Sequence, residues 1–204
     1  QIWLNLPGSH KMVEPHFTML WKASIPIHEI TDDNGKKTKI DIIAGMANNC
    51  SPPKAPPDSW AADQNNKVAI WLIKMEPNAH YSIPAEGIGL NRSLYFYDGL
   101  SLNIDGTDIS PMHSAELDSS STAPIINGNK ESCLLFLQGR PIREPIAHHG
   151  PFVMNTETEL EQTFKDYRET GFGGWPWSAS DQVHSRSKGR FARHKDGHEE
   201  EPDK

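Results

Sequence analysis

Short apolar runs, each ended by turn-forming residues, constrain the fold of this chain more than any other feature of its sequence. Residues 68–75 (VAIWLIKM) form a nearly continuous apolar run whose length and β-branched content favour a buried strand, and residues 132–137 (SCLLFL) predict another. Residues 93–97 and 100–104 flank one Asp-Gly pair, and a second Asp-Gly pair follows, so we expect a β-hairpin and a further turn. Many short strands separated by turns predict a β-sandwich or β-barrel.

The N-terminal part of the chain predicts two further strands and two irregular segments. In residues 1–7 (QIWLNLP), Ile2, Leu4 and Leu6 alternate with Trp3 and Asn5, so the three aliphatic side chains share one face of an extended chain. A proline ends this run, which indicates a short strand. Residues 39–44 (KIDIIA) predict another strand, which follows a turn at residues 32–37 because Asn-Gly there supplies a positive φ. Prolines predict an extended connector over residues 12–30 and an ordered loop without regular structure over residues 45–59.

One helix is predicted, near the C-terminus. Thr156 and Glu159 have the spacing of a capping box, and Gly171 is placed to end the helix in a left-handed conformation. One face carries three apolar side chains that must pack against another element, because so short a helix is marginally stable alone: Leu160, Phe164 and Tyr167. Residues 178–204 hold a basic block and an acidic block with few large apolar residues, so we expect a mobile charged tail.

Composition and charge exclude several classes of protein. The 204 residues are 36% hydrophobic, enough for one core beside a long polar segment. The net charge of -7 gives no whole-chain case for nucleic-acid binding. Two cysteines, Cys50 and Cys133, lie far apart, which fits a reducing cytoplasm better than a disulfide framework. No apolar run has the ~20 residues of a membrane span.

The residues around Gln1 have neither a basic region nor a long apolar region, so they do not form a signal peptide. There is no initiator methionine before them. We therefore interpret the first residues as a strand that belongs to a larger protein.

Residues 139–177 contain three unusual short sequence motifs, RPIREPIA, HHGPFVMN and FGGWPW. In these motifs the chain closely resembles the C-terminal part of the pirin family, whose members are two-domain cupin proteins. The Ser51-Pro52 loop and the segment 95–104 have counterparts in the same family, so the resemblance covers nearly the whole chain. It implies an all-β fold: a cupin-type double-stranded β-helix, or jelly-roll barrel, with one C-terminal helix and an extended tail.

The resemblance also implies a metal that this chain is not expected to bind. Pirins carry a mononuclear iron that three histidines and one glutamate of the first cupin hold, in motifs similar to HxHxGxE and HSE, and neither motif occurs here. His80 stands alone where the first motif needs two histidines, and the adjacent His148 and His149 point to opposite faces of a strand. We therefore predict no catalytic, cofactor-binding or metal-binding residue in this chain, and iron only in an N-terminal cupin before Gln1.

Six residues remain as candidates for a weak ligand site or an interface: His80, Arg140, Arg143, Glu144, Trp175 and Trp177. Arginine and glutamate this close together either bind an acidic ligand or form an internal ion pair that holds a loop, and the ion pair is the commoner arrangement. The two tryptophans provide either a ligand platform or a contact with a neighbouring domain. The domain contact is favoured because indole rings fill interfaces.

The sequence divides into four segments with different expected roles. Residues 1–38 are interpreted as the last strand of a missing N-terminal cupin and an interdomain connector. Residues 39–154 are expected to form the C-terminal cupin barrel, and residues 155–177 a helix with an aromatic segment. The mobile tail then occupies residues 178–204.

Two functional classes stay open. As it stands, the chain is expected to be a non-catalytic structural or interaction domain of a pirin-like cytoplasmic protein. Alternatively, it is part of an iron-dependent enzyme similar to quercetin 2,3-dioxygenase, whose metal ligands lie upstream of Gln1. The expected partner is the missing N-terminal cupin or another copy of the chain, as a homo-oligomer or by domain swapping, because uncovered apolar surface favours association. Neither a membrane nor nucleic acid is expected as a partner.

Overall fold

Two antiparallel sheets, built from the apolar runs in the middle of the chain, form the larger part of the structure. The structure is a computed structural model that describes residues 1–175, 177–179, 184–194 and 196–202. The chain folds as two units. The barrel unit is His16–Ile142, and the terminal unit consists of Gln1–Pro15 together with Arg143–Lys204.

Ten strands belong to the barrel unit. In chain order they are β1 (Ile27–Thr31), β2 (Lys37–Ala44), β3 (Ala69–Met75), β4 (His80–Ile83), β5 (Asn91–Asp98), β6 (Leu102–Ile104), β7 (Thr107–Ile109), β8 (His113–Glu116), β9 (Ala123–Asn127) and β10 (Ser132–Gly139). The larger sheet has the order β1-β2-β3-β10-β5-β8, and the smaller has the order β4-β9-β6-β7. This arrangement confirms the predicted all-β, cupin-type barrel.

The core lies between the two sheets, because every second side chain of a strand points to the same face. The central strands β3 and β10 place Trp71 opposite Phe136, with ring centroids 4.9 Å apart. Burying one such large apolar side chain contributes about 1.5–3 kcal/mol. Further residues of this core are Ile40, Ile42, Ile73, Met75, Ile83, Leu94, Phe96, Leu102, Ile104, Ile125 and Leu134.

The two Asp-Gly pairs have different roles. Asp105 and Gly106, with φ of 48° and 81°, form the predicted two-residue turn, which joins β6 to β7. The expected hairpin across Asp98 and Gly99 is wrong, because β5 pairs with β10 and β8 while β6 pairs with β9 and β7. The chain leaves one sheet for the other at Gly99, so both apolar runs can bury their inward side chains in one core.

The strand β1 begins inside the segment 12–30 that was predicted as a connector, so that prediction is wrong over residues 27–30. Pairing with β2 gives this edge strand its order, which local sequence does not encode. The turn after β1 is confirmed: Asp32 Oδ1 accepts from the backbone N–H of Asn34 and of Lys36. The proline-rich segment is also confirmed as irregular, and it continues into two short 3₁₀ turns at Trp60–Ala62 and Gln64–Asn66.

The terminal unit begins irregularly, since residues 1–7 form no strand. A hairpin of β11 (Ala147–His149) and β12 (Phe152–Met154) precedes the helix α1 (Glu157–Thr170). The capping box is confirmed in both directions, and Gly171 ends the helix with φ of 58°. None of the helices in the described part of the chain combines the length and hydrophobicity that crossing a membrane requires.

In the tail, two-residue strands β13 (Ala192–Arg193) and β14 (Glu199–Glu200) pair with each other. Glu199 accepts hydrogen bonds from Lys188 Nζ at 2.9 Å and from Arg193 Nε at 2.6 Å, so members of the basic and acidic blocks pair with each other. Lys195 and Asp203 of those blocks lie outside the described residues. The predicted mobility of the tail and the four predicted domain limits stay predictions.

Candidate functional site

A cavity of about 590 Å³ opens at one end of the larger sheet, where β2 ends, β3 begins and β10 ends. The strand ends contribute Ala44, Ala69, Trp71 and Gln138 to its wall. The proline-rich loop and the two 3₁₀ turns contribute the opposite wall. Small-molecule sites in proteins typically have volumes of about 300–1,000 Å³, so this mouth of the barrel unit is large enough to take a ligand.

Hydrogen bonds between loop and strand end fix the wall of the cavity. Trp60 Nε1 donates to the carbonyl of Arg140 at 2.8 Å, and the backbone N–H of Arg140 donates to the carbonyl of Asn66 at 2.8 Å. Gln138 Nε2 donates to the carbonyl of Lys67 at 3.0 Å. Arg140 also donates from Nε to the carbonyl of Asn65. This candidate residue therefore secures the loop through backbone groups.

Charged side chains of both signs line the cavity. Lys67 Nζ lies 3.4 Å from Glu86 Oε2, and Asp63 Oδ1 accepts a hydrogen bond from the backbone N–H of Asn65. Lys54 also lines the cavity, and no ion pair with it is found among the described residues. Trp71 presents an indole whose Nε1 donates to the carbonyl of Gly45 at 3.3 Å, so its ring is fixed in the wall.

A buried arginine lies next to this wall in the larger sheet, since Arg92 of β5 is the register partner of Gln138. Arg92 is 1% exposed, and it donates from Nη2 to the carbonyl of Pro84 at 2.8 Å and from Nη1 to that of Asp118 at 3.2 Å. Burial lowers the pKa of Arg92, the expected direction for a cation away from water. Burial likewise raises the pKa of Tyr81 to about 12. Through its hydrogen bonds to Pro84 and Asp118, the Arg92 guanidinium joins two loops to the barrel interior.

The described histidines are not gathered with other ligands into a metal site. Among the described residues, no group of three or more His, Cys, Asp or Glu side chains lies close enough together to hold a metal ion. His80 is exposed, and its backbone N–H donates to Asp32 Oδ2 at 2.7 Å. His148 Nε2 lies 2.9 Å from the carbonyl of Gly150, whereas the ring of His149 packs on Phe164. The residues present therefore do not fit the iron that the family resemblance implies.

Glu144 and Arg143 belong to the terminal unit, whereas Arg140 belongs to the barrel unit. Glu144 Oε2 accepts from the backbone N–H of Gly8 at 2.6 Å and from Asn155 Nδ2 at 2.7 Å. These two hydrogen bonds lower the pKa of the Glu144 carboxyl. Arg143 has a left-handed backbone with φ of 60°. Glu144 therefore joins the first residues of the chain to the segment before α1, through amide donors.

The aromatic segment packs on the helix of the terminal unit. Phe152 stacks edge-on with Phe164 at 5.0 Å, and Phe172 does the same with Tyr167 at 5.4 Å. Trp175 is 58% exposed and donates from Nε1 to the carbonyl of Ala179. The guanidinium of Arg193 lies 5.5 Å from the centre of the Trp177 ring. A shallow groove of about 490 Å³ runs along the same helix, between His149 and Arg168.

Sequence reasoning missed the cavity at the barrel mouth. Its charged residues are Lys54, Asp63, Lys67 and Glu86. The first three are spread along the irregular segment between β2 and β3 and Glu86 follows β4, so no local spacing identifies them. One signal was available: the irregular segment between β2 and β3 is longer than ordinary connections, and long ordered loops usually serve function.

Comparison with known proteins gives a consistent result. Residues 70–173 match the family described as the pirin C-terminal cupin domain. The chain is 33% identical over 175 residues to a putative quercetin 2,3-dioxygenase of Thermoplasma acidophilum, covering 84% of this chain and 64% of that protein. It is 29% identical over 178 residues to pirin from Homo sapiens, covering 85% of this chain and 56% of that protein. The chain thus spans about three fifths of the length of these relatives.

Solved structures agree on the fold. A crystal structure of quercetin 2,3-dioxygenase from Acinetobacter baumannii superposes with a TM-score of 0.70 at 23% identity. The superposition covers 84% of this chain and 56% of that one. A structural likeness at 23% sequence identity establishes the fold alone, and an activity has to be inferred from the residues of this chain.

Proposed function

Because the chain belongs to the pirin family, we propose that its barrel unit is a non-catalytic cupin domain with a structural or binding role. One observation carries the proposal: apolar side chains fill most inward positions of the long strands, and the buried polar side chains beside them are Thr38, Arg92 and Ser132. Ile40, Trp71, Leu94 and Phe136 fill the space between the sheets.

Such side chains have no atom that can bind iron. Iron sites in proteins use nitrogen, oxygen or thiolate ligands, and several must converge on one point. In this barrel the inward charged group is the cation Arg92, which repels a metal ion. We therefore propose that iron, if the whole protein uses it, binds in an N-terminal cupin.

Elemental analysis tests this proposal. After incubation with ferrous iron and dialysis, the chain should retain far less than one iron per molecule. His16→Ala serves as the matched control for His80→Ala and His148→Ala, because His16 lies 2.8 Å from Thr18 and is exposed. Iron near one per chain that His80→Ala or His148→Ala removes, and His16→Ala leaves, would contradict the proposal.

The names of relatives favour a second candidate, in which the whole protein is an iron-dependent quercetin 2,3-dioxygenase. Proteins from Thermoplasma acidophilum and Pseudomonas aeruginosa carry the name putative quercetin 2,3-dioxygenase. In this candidate the iron ligands lie upstream of Gln1, and this chain supplies no ligand. Oxygen uptake with quercetin and ferrous iron should stay at background for this chain alone. Uptake that rises with chain concentration and saturates with quercetin is incompatible with a non-catalytic barrel unit.

The terminal unit suggests the partner. Its exposed large apolar residues include Ile2, Trp3, Phe172 and Trp175, which are 47–58% exposed. Large exposed apolar patches commonly mark interaction sites. We propose that an N-terminal cupin domain covers this surface in the whole protein, and that a second copy of the chain covers it when the chain is alone.

A further inference from the structure

We propose that the cavity at the mouth of the barrel unit binds a small aromatic carboxylate. This inference goes beyond the structural or binding role proposed above, because it assigns a ligand class to a cavity away from any metal. It rests on three features of the cavity: a fixed wall, a largely apolar lining, and one lining cation without an acidic partner among the described residues.

The fixed wall distinguishes this cavity from a gap under a loose loop. The loop between β2 and β3 contains four prolines, and it is tied down at Trp60, at Asn66 and at Lys67 by hydrogen bonds of 2.8 to 3.0 Å. Proline already restricts the backbone, and each hydrogen bond removes further freedom. A wall ordered before binding reduces the entropy that a ligand must overcome, so a small ligand can bind there.

The lining favours a flat apolar body. Pro52, Pro53, Pro57 and Met46 contribute aliphatic surface on the loop side, and Ala44, Ala69 and the largely buried Trp71 line the strand side. An aromatic ring packs well against proline faces, because both are flat and apolar. The volume of about 590 Å³ leaves room for one or two rings with a polar substituent.

The charges favour an anionic substituent. Glu86 is paired with Lys67. Asp63 has no ion pair among the described residues either, but the backbone N–H of Asn65 donates to its carboxylate at the start of a 3₁₀ turn. Lys54 is the lining cation that no ion pair of the described residues neutralises. A carboxylate on the ligand supplies the missing anion, and hydrogen bonds to charged groups are stronger than those between neutral groups.

The site can be followed directly with 2-naphthoate as the probe. In ¹⁵N-labelled protein, the indole N–H signal of Trp71 should shift on titration, because that indole donates to Gly45 within the cavity wall. The indole signal of Trp175, in the terminal unit, should not shift. An unmoved Trp71 signal up to millimolar probe, or equal shifts of both signals, would overturn the proposal.

Variants and matched probes separate the charge from the apolar contact. Lys54→Met should weaken 2-naphthoate binding about tenfold, the loss expected for one charge-assisted hydrogen bond. Lys130→Met, which removes an exposed lysine outside the cavity, should leave it unchanged. The neutral probe 2-naphthalenemethanol should bind both variants equally.

Filling the cavity provides an independent check. Ala55 lines the cavity, so Ala55→Phe should remove binding of both probes while leaving the Trp175 signal in place. Equal losses for Lys54→Met and Lys130→Met, or tighter binding of the cation 2-naphthylmethylammonium than of 2-naphthoate, would show that Lys54 does not select an anion.

Discussion

The barrel unit and the terminal unit differ in how they use apolar residues. Nearly all buried apolar residues of the described chain lie in the barrel unit, whereas the terminal unit contributes Pro7, Ala147, Leu160 and Ala192. Hydrophobic burial is the main favourable term in folding. The barrel unit therefore has its own core, and the terminal unit depends on caps, ring contacts and whatever covers its surface.

The largest expected effect tests this contrast with two phenylalanines. Phe136 is 0% exposed in the core of the barrel unit, and Phe172 is 48% exposed in the terminal unit. Phe136→Ala should lower the free energy of unfolding by about 3–5 kcal/mol because it leaves a cavity. Phe172→Ala should lower it by about 1 kcal/mol, since it loses edge-on ring contacts at the surface. Urea denaturation measures both, and equal losses would show that the terminal unit has a core of comparable strength.

Two glycines with positive φ sharpen the same contrast. A Cβ on Gly99 of the barrel unit would lie 2.3 Å from Ser132 Oγ and 2.6 Å from the Phe96 ring, whereas a Cβ on Gly150 meets nothing within 4 Å. Gly99→Ala should therefore cost about 3 kcal/mol from overpacking and backbone strain, and Gly150→Ala about 1 kcal/mol from strain alone. Thermal unfolding compares the two variants. If Gly99→Ala lost less stability than Gly150→Ala, the side chains of Ser132 and Phe96 would have to shift in the barrel core at little cost in free energy.

The next prediction concerns association through the terminal unit. The isolated chain should form a homodimer, or a larger oligomer, that buries residues 1–7 or residues 164–177 of one copy against another. Replacing Trp3 and Trp175 together by serine should weaken self-association at least about tenfold, because buried tryptophans dominate interface energies. Sedimentation velocity at several concentrations measures the effect.

A matched double variant in the barrel unit controls for general loss of apolar surface. Tyr95 and Met112 are also exposed, at 40% and 81%, so Tyr95→Ser with Met112→Ser should leave self-association unchanged. A stable monomer of the unaltered chain at all concentrations, with Trp3 open to a soluble quencher, would contradict the proposed interface.

Local chemistry made the helix and several turns predictable. The capping pair Thr156 and Glu159 and the turn at Asp105-Gly106 act over a few neighbouring residues, so their sequence spacing is sufficient. The prediction of a hairpin at Asp98-Gly99 was wrong because turn-forming residues do not decide whether the two apolar runs that flank them belong to the same sheet. That choice depends on which arrangement buries both runs, a property of the whole barrel.

The candidate site was less predictable than the fold. Arg140 was a candidate because of its charge, but its guanidinium donates to the backbone carbonyl of Asn65. Glu144 was a candidate for an ion pair, but its carboxylate accepts from the backbone N–H of Gly8 and from Asn155 Nδ2. The cavity itself forms only when a loop, a strand end and a distant turn meet. Long-range convergence of this kind leaves no periodic trace in one sequence.

The smallest expected effect is a difference in acid sensitivity between the two units. Hydrogen bonds from Gly8 and Asn155 lower the pKa of Glu144 below its ordinary value of 4.5 in the terminal unit. Hydrogen bonds from the backbone N–H groups of His80, Lys36 and Asn34 lower the pKa of Asp32 below 3.8 in the barrel unit. A carboxyl whose pKa is lowered by folding stabilises the native state above its ordinary pKa, and loses that contribution as the pH falls through the lowered value.

The Glu144 carboxyl should therefore begin to lose this contribution at a higher pH than the Asp32 carboxyl does, just below pH 4.5 as against below pH 3.8. Acid titration followed by the indole N–H signals of Trp175 and Trp71 reports on the two units separately. Glu144→Gln should flatten the acid dependence of the Trp175 signal alone, and Asp32→Asn that of the Trp71 signal alone. If either substitution flattened both signals equally, the two units would share one acid transition, and the division between a self-sufficient barrel and a dependent terminal unit would fail.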